Sequence, residues 1–304
     1  MVRSFYSQNN SSLYIVEPSG PHTHSLILLH GLGSNGEKFG RELVETGICS
    51  DGKSLTDLLP GARLIFPTSK KRRSSAFRRA MLTQWFDVAL LEDPSYRNQT
   101  QYQGLEESSR EIFHLISEER GKISDKNILI GGISQGCAMS IVCLLALGFP
   151  IGGFVGMSGW LPFASEIQKL AADDDESLQF SDDSDPFAFS SNGENDSDDG
   201  STQVYRYARG LLSLQSPELP TASDALTTPV FLGHGEEDEK IKLSLGEEAC
   251  RVLRSVVFQV EWASYQGRGH WYKVPDEIDD IVRFFTQKAG WSLQLPMGQT
   301  QNDQ

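Results

Sequence analysis

Ser134 lies within Gly132-Ile133-Ser134-Gln135-Gly136, a G-x-S-x-G pentapeptide. The apolar stretch Asn127-Ile128-Leu129-Ile130 precedes it, and the longer apolar run Cys137–Leu147 follows. Read as a buried strand and a buried helix, these put the serine on a sharp turn with its hydroxyl pushed out of the sheet. The helix start aims backbone N–H groups and a positive dipole end at any oxyanion forming there. Such a serine can attack an acyl carbonyl once a base takes its proton. The pentapeptide alone also fits an ordinary strand–helix loop, so the base and its partner have to be found elsewhere.

Six histidines are available. His22 and His24 lie in a polar approach and His114 in a surface-helix pattern. His30 and His234 each end a strand, and both read as structural, with rings bonded to loop backbone. His270 follows Tyr265-Gln266-Gly267-Arg268-Gly269, a flexible loop after the last strand. A base there can reach the C-terminal edge of a parallel sheet, where ligands of open α/β sheets bind. The orienting carboxylate falls in His234-Gly235-Glu236-Glu237-Asp238, with Asp238 the candidate and Glu236 and Glu237 competing on spacing alone. His30-Gly31-Leu32-Gly33 ends the first long strand where an oxyanion loop belongs, so Leu32 and Gln135 would supply its two backbone N–H donors.

These parts need a scaffold. Leu26–Leu29, Arg63–Phe66, Asn127–Ile130, Gly153–Met157, Pro229–Leu232 and Val256–Val260 read as strands. Gly104–Glu119 and Asp276–Phe285 carry apolar residues at helical spacing. Strands alternating with helices predict an α/β fold with a mainly parallel central sheet and helices on both faces. No charged residue occurs between Ile128 and Ser165, but glycines and Pro150 cut that run into core-sized pieces rather than one membrane span.

The net charge of −14 is unevenly placed: Asp173–Asp199 holds eleven acidic residues and no Lys or Arg, leaving the rest close to neutral. Residues 171–225 are therefore expected to be an acidic, largely disordered insertion within a single domain spanning 1–304, with a short helix at Gln203–Leu214. Residues 293–304 read as a disordered tail. Four unpatterned cysteines (Cys49, Cys137, Cys143, Cys250) fit a reduced, intracellular protein. The N-terminus has no apolar core and neither terminus has a lipidation signal, so the expected location is cytoplasmic. Lys70, Lys71, Arg72, Arg73, Arg78 and Arg79 cluster before Trp85. The cluster reads as a solvated loop, a contact for anionic membrane that the acidic insertion could screen, or a nuclear-localisation patch. No nucleic-acid partner is expected.

Six motifs occur in order: His30-Gly31-Leu32-Gly33, Gln84-Trp85-Phe86-Asp87, the Ser134 pentapeptide, Ser158-Gly159-Trp160-Leu161-Pro162, His234-Gly235-x-x-Asp238 and Gly267-x-Gly269-His270. Together they resemble the phospholipase/carboxylesterase family of α/β-hydrolases, which includes the acyl-protein thioesterases. The chain order Ser134, Asp238, His270 is that of α/β-hydrolases. The resemblance implies a cofactor-free serine hydrolase acting on thioesters of fatty-acylated protein cysteines, or on lysophospholipid or small carboxylic esters. It implies Ser134 as nucleophile, Asp238 as orienter, His270 as base, and Leu32 and Gln135 as oxyanion donors. It also sets Trp85 and Trp160 near the substrate, with core packing an equal reading for either. The acidic insertion and the basic cluster are departures from the family pattern.

Overall fold

An unbroken apolar run such as Leu26–Leu29 suits a strand covered on both faces. In the computed structural model, which describes residues 2–6, 12–172, 199–215 and 225–293, it lies in β3 (His24–Leu29). Its side chains separate by parity: Leu26 and Leu28 pack into one apolar layer, Ile27 and Leu29 into the other. The same alternation divides β8 (Gly153–Met157), where Phe154 joins one layer and Val155 and Met157 the opposite one.

Among the described residues eight strands form the central sheet, in the order β1-β2-β4-β3-β7-β8-β9-β10. β1 (Val2–Tyr6) and β2 (Ser12–Val16) are antiparallel at one edge. β4 (Ala62–Pro67), β3, β7 (Ile128–Ile133), β8, β9 (Val230–Gly235) and β10 (Val260–Tyr265) pair in parallel. α1 (Gly36–Thr46), the single-turn α2 (Leu55–Leu58) and α8 (Asp276–Gln287) cover one face through Phe39, Leu43, Leu55, Ile278 and Ile281. α3 (Tyr102–Arg120), α4 (Gln135–Leu145) and α7 (Leu243–Ser255) cover the other. The uncharged run from Ile128 to Ser165 is thus β7, α4 and β8, buried as core, and among the described residues no helix is long and apolar enough to cross a membrane.

α5 (Ala164–Ala172) ends, and α6 (Gly200–Leu211) begins, beside the acidic stretch. α6 packs Val204 and Ala208 into the core layer of α4, so this part of 171–225 is ordered. Most of the expected insertion (173–198 and 216–224) and of the expected tail (294–304) lies outside the described residues, as does any contact of the insertion with the basic cluster. The strand expected at Val256–Val260 is displaced. α7 continues to Ser255, Val256 caps it, and Val257 turns the chain at φ 78°, so β10 starts only at Val260. Val256 and Phe258 are buried in the same core layer as Ala249, Val252 and Leu253 of α7, and do not alternate in a strand. The basic cluster is also not a plain loop: β5 (Lys71–Arg73) and β6 (Met81–Thr83) pair as an antiparallel hairpin.

Candidate active site

β7 ends by handing Ser134 to the start of α4, and the turn is sharp: Ser134 has φ 57° and ψ −122°. A non-glycine residue in this region costs of order 1–3 kcal/mol, which the surroundings must hold in place. They do so through Ser134 N, which donates to Met157 O at 2.8 Å, and Ala138 N, which donates back to Ser134 O at 3.0 Å. Gly136 is required for the same turn, since a Cβ there would lie 2.1 Å from Leu29 O.

The hydroxyl of Ser134 reaches His270. Ser134 Oγ and His270 Nε2 are 2.9 Å apart, and His270 Nδ1 is 2.7 Å from Asp238 Oδ2. An ionised carboxylate can only accept, so His270 Nδ1–H donates to Asp238, and Nε2 is left to accept from the serine. Asp238 Oδ1 accepts from the backbone N–H groups of Lys240 (2.8 Å) and Ile241 (2.9 Å). Burial works against its charge, but hydrogen bonds from His234, His270 and Ile241 outweigh burial and hold the carboxyl well below the usual range.

The three acids differ in what each one holds. Glu236 accepts from Ser264 Oγ, Glu237 accepts from Gly267 N, and Asp238 alone of the three bonds to His270. Glu237 thereby steadies the start of the His270 loop, assisted by Glu237 N donating to Arg268 O.

His30 is buried and its ring is used up by backbone. Nδ1–H donates to Gly31 O at 2.7 Å, and Nε2 accepts from Ser69 N at 3.0 Å. Burial pushes its pKa down to about 4, with the Gly31 bond opposing, so the ring is neutral at pH 7. The His234 Nε2–H is shared between Ile241 O at 2.9 Å and Asp238 Oδ2 at 3.3 Å. Both rings shape loops, as expected from the sequence.

Leu32 and Gln135 both border the cavity at Ser134. Neither spends its backbone N–H on an acceptor among the described residues, whereas neighbouring Gly33 and Ser34 donate to Thr83 O and Gly31 O. The Gln135 side chain has a role the sequence did not signal: Oε1 accepts from Trp85 N and Nε2 donates to Phe86 O, strapping that segment to the serine turn.

Of the two readings of Trp85, its surroundings match core packing. It is fully buried and does not line the cavity, and its indole N–H donates to His30 O at 2.8 Å, so it buttresses the His30–Gly33 loop. Trp160 does line the cavity. The cavity measures about 510 Å³ and opens at Ser134; its wall is mainly apolar, with Phe39, Phe77, Leu82, Leu91 and Trp271 beside Trp160. Trp271 could have been found as the neighbour of His270. The others come from α1, the β5–β6 hairpin and the loop after it, and no motif marks them. A serine relay facing a cavity of this size and character can transfer an acyl group with an apolar tail.

Comparison with known proteins accords with this geometry. The chain matches the Phospholipase/Carboxylesterase family over residues 10–175 and 209–288. It is similar to acyl-protein thioesterase 1 of Gibberella zeae, with 23% identity over 271 residues, 88% of this chain and 91% of that protein. It is likewise similar to acyl-protein thioesterase 1 of Saccharomyces cerevisiae, 25% identical over 271 residues, 87% of this chain and 92% of that protein. Among solved structures it shares its fold with Zea mays acyl-protein thioesterase 2, at a TM-score of 0.63 and 24% identity, covering 91% of this chain and 99% of that one. The chain belongs to the phospholipase/carboxylesterase family of α/β-hydrolases.

Proposed function

We propose that this protein is a serine hydrolase that releases fatty acyl groups from S-acylated protein cysteines through an acyl-enzyme intermediate. The observation that carries this reading is the Ser134–His270–Asp238 chain of hydrogen bonds opening into an apolar cavity of about 510 Å³. The names of the fungal relatives point the same way.

In the first step Ser134 Oγ bonds to the acyl carbon while its proton passes to His270 Nε2. The oxyanion is held by the N–H groups of Leu32 and Gln135, each such donor being worth about 3–4 kcal/mol of barrier lowering. The C–S bond then breaks and the cysteine thiol leaves with the proton from His270. Water, deprotonated by His270, repeats the attack and frees the fatty acid. Asp238 keeps the ring in the tautomer that accepts from serine. Replacing Ser134 with Ala should abolish release of palmitate from a palmitoylated peptide and labelling by a fluorophosphonate probe; retained turnover would refute the assignment.

A second reading, hydrolysis of lysophospholipid, is favoured by Lys240, a cationic side chain in the cavity wall with no ion pair among the described residues. Relative turnover of a palmitoyl thioester peptide and lysophosphatidylcholine separates the two.

Membrane contact is the partner reading we retain. Lys70 and Arg72 pair with Glu111 and Glu107 of α3 and are not free for it. Lys71, Arg73, Arg78 and Arg79 remain exposed without ion pairs among the described residues, beside exposed Phe77 (44%) and Met81 (53%). Phe77 also lines the cavity, so the same hairpin borders both the surface and the acyl site. The four free, buried cysteines support work in a reducing compartment such as the cytoplasm.

A further inference from the structure

Glu277 is an acid in the wrong place for one. It sits in the first turn of α8, yet it is 1% exposed, while its neighbour Asp276 has a side chain 54% exposed. Lone carboxyls are seldom buried this fully unless something needs them there. Its hydrogen bonds run to the His270 loop, and its second oxygen packs against β9, the strand that leads to Asp238. Its Oε2 accepts from Lys273 N at 2.8 Å, and its own N–H donates to Lys273 O at 2.9 Å. Lys273 is three residues past His270, so this reciprocal pair ties off the far end of the His270 loop. The near end is tied by Glu237 to Gly267.

The other oxygen, Oε1, has no hydrogen-bond partner among the described residues. It rests on Gly233 in β9, so closely that a Cβ on residue 233 would lie 2.2 Å from it. Gly233 carries more than strand pairing: its carbonyl accepts from Ser158 N at 2.8 Å, and five residues later the chain reaches Asp238. One carboxyl therefore touches the loop that holds the base and the strand that leads to its orienter.

We propose that Glu277 is a positioning residue, a carboxyl latch that holds the His270 loop against β9 and so keeps His270 in line with Ser134 and Asp238. The proposal rests on His270 being the base. The groups facing Glu277 decide which form of the latch is the working one. Asp280, one turn along α8, is negative and accepts from the Tyr265 hydroxyl of β10 at 2.8 Å. Arg268 approaches from the loop, and the Lys273 ammonium is directed to Asp276 instead. Burial is the largest influence and pushes the carboxyl up to about 8, aided by Asp280 and opposed by the Lys273 bond and Arg268. At neutral pH the latch is a neutral acid. When it ionises, a charge with no donor for Oε1 is left against the Gly233 backbone, and the loop has reason to move away.

The test uses Glu277→Gln and Glu277→Ala in the full chain, with kcat and KM for a p-nitrophenyl ester measured from pH 6 to 10 beside wild type and the Ser134→Ala blank. Glutamine keeps the acceptor for Lys273 N and cannot ionise. It should rescue neutral-pH kcat to within about twofold and remove a fall in kcat that wild type undergoes above about pH 8. Alanine should lower kcat by roughly tenfold to a hundredfold with little change in KM, as expected for a misplaced base. Should alanine fail to fold by circular dichroism, the glutamine arm decides alone. The proposal is overturned if Glu277→Gln keeps the wild-type alkaline fall, if wild type has none, or if a folded Glu277→Ala matches wild-type kcat. An inactive Ser134→Ala beside any of these results leaves the hydrolase reading standing and removes only the latch; an active Ser134→Ala removes the hydrolase reading itself.

Discussion

Changing Asp238 to Asn replaces one oxygen by nitrogen, and the surrounding donors determine which way the amide must face. Oδ1 receives two backbone N–H groups, from Lys240 and Ile241 at 2.8 and 2.9 Å. An NH2 group there would put donor against donor twice, so the amide oxygen takes that site. The NH2 then occupies the Oδ2 site, 2.7 Å from His270 Nδ1. Nδ1 must now accept, the ring proton moves to Nε2, and Nε2 points a proton at Ser134 Oγ from 2.9 Å. A ring in that tautomer cannot take the serine proton, and the charge that stabilises the imidazolium is gone as well. In the serine proteases the same exchange lowers kcat about 10,000-fold with the geometry intact, which is about 5 kcal/mol of barrier at 1.36 kcal/mol per tenfold. We expect a loss of that order here, carried by kcat and not KM, because nothing in the cavity wall changes. The assay is steady-state hydrolysis of a short p-nitrophenyl ester, with thermal unfolding to verify the fold. A variant within thirtyfold of wild-type kcat, or one impaired only in KM, would refute the reasoning.

His30 makes stability depend on acid. Its folded pKa is depressed to about 4 by burial, so the unfolded chain binds the proton first; the stabilisation is complete above pH 6.5 and is lost as pH falls from there towards 4, a span of about 3 kcal/mol. Urea unfolding at pH 7.5 and 4.5 should display that slope in wild type and a shallower one in His30→Gln; equal slopes would rule out the assignment. For membrane contact, Phe77→Ser combined with Arg78→Glu and Arg79→Glu should weaken partition onto phosphatidylserine vesicles at least tenfold, each basic residue near such a surface being worth about 1 kcal/mol. Unchanged partition at low salt would count against the hairpin as the contact.

Much of the fold was legible because parallel strands buried on both faces are apolar at every residue and end abruptly. β3, β7, β8 and β9 could be read that way to within a few residues. The misplacement of β10 has the same root. Val256-Val257-Phe258 is as apolar and β-branched as a strand, and only the left-handed turn at Val257, 69% exposed, reveals it as a helix exit. The β5–β6 hairpin escaped because Lys71-Arg72-Arg73 pairs outside the main sheet, where no buried face imposes an alternation.

The site divides along a similar line. Ser134, Asp238 and His270 each stand just beyond a strand's C-terminal end, so chain direction alone brings them to one sheet edge, and linear motifs can record that. Trp85 and Glu277 are placed by packing from behind, and packing leaves no spacing to read. Asp276, Glu277 and Asp279 look alike in sequence: three acids in a helix's first turn, where solvated carboxylates are ordinary partners of the dipole. What separates Glu277 is Gly233, forty-four residues earlier, whose missing side chain makes the space its carboxyl fills. Gly233 and Glu277 are therefore coupled by volume. Gly233→Ala should be tolerated only when residue 277 is shortened, and a double-mutant cycle in which the two losses simply add would show that the carboxyl does not occupy that space.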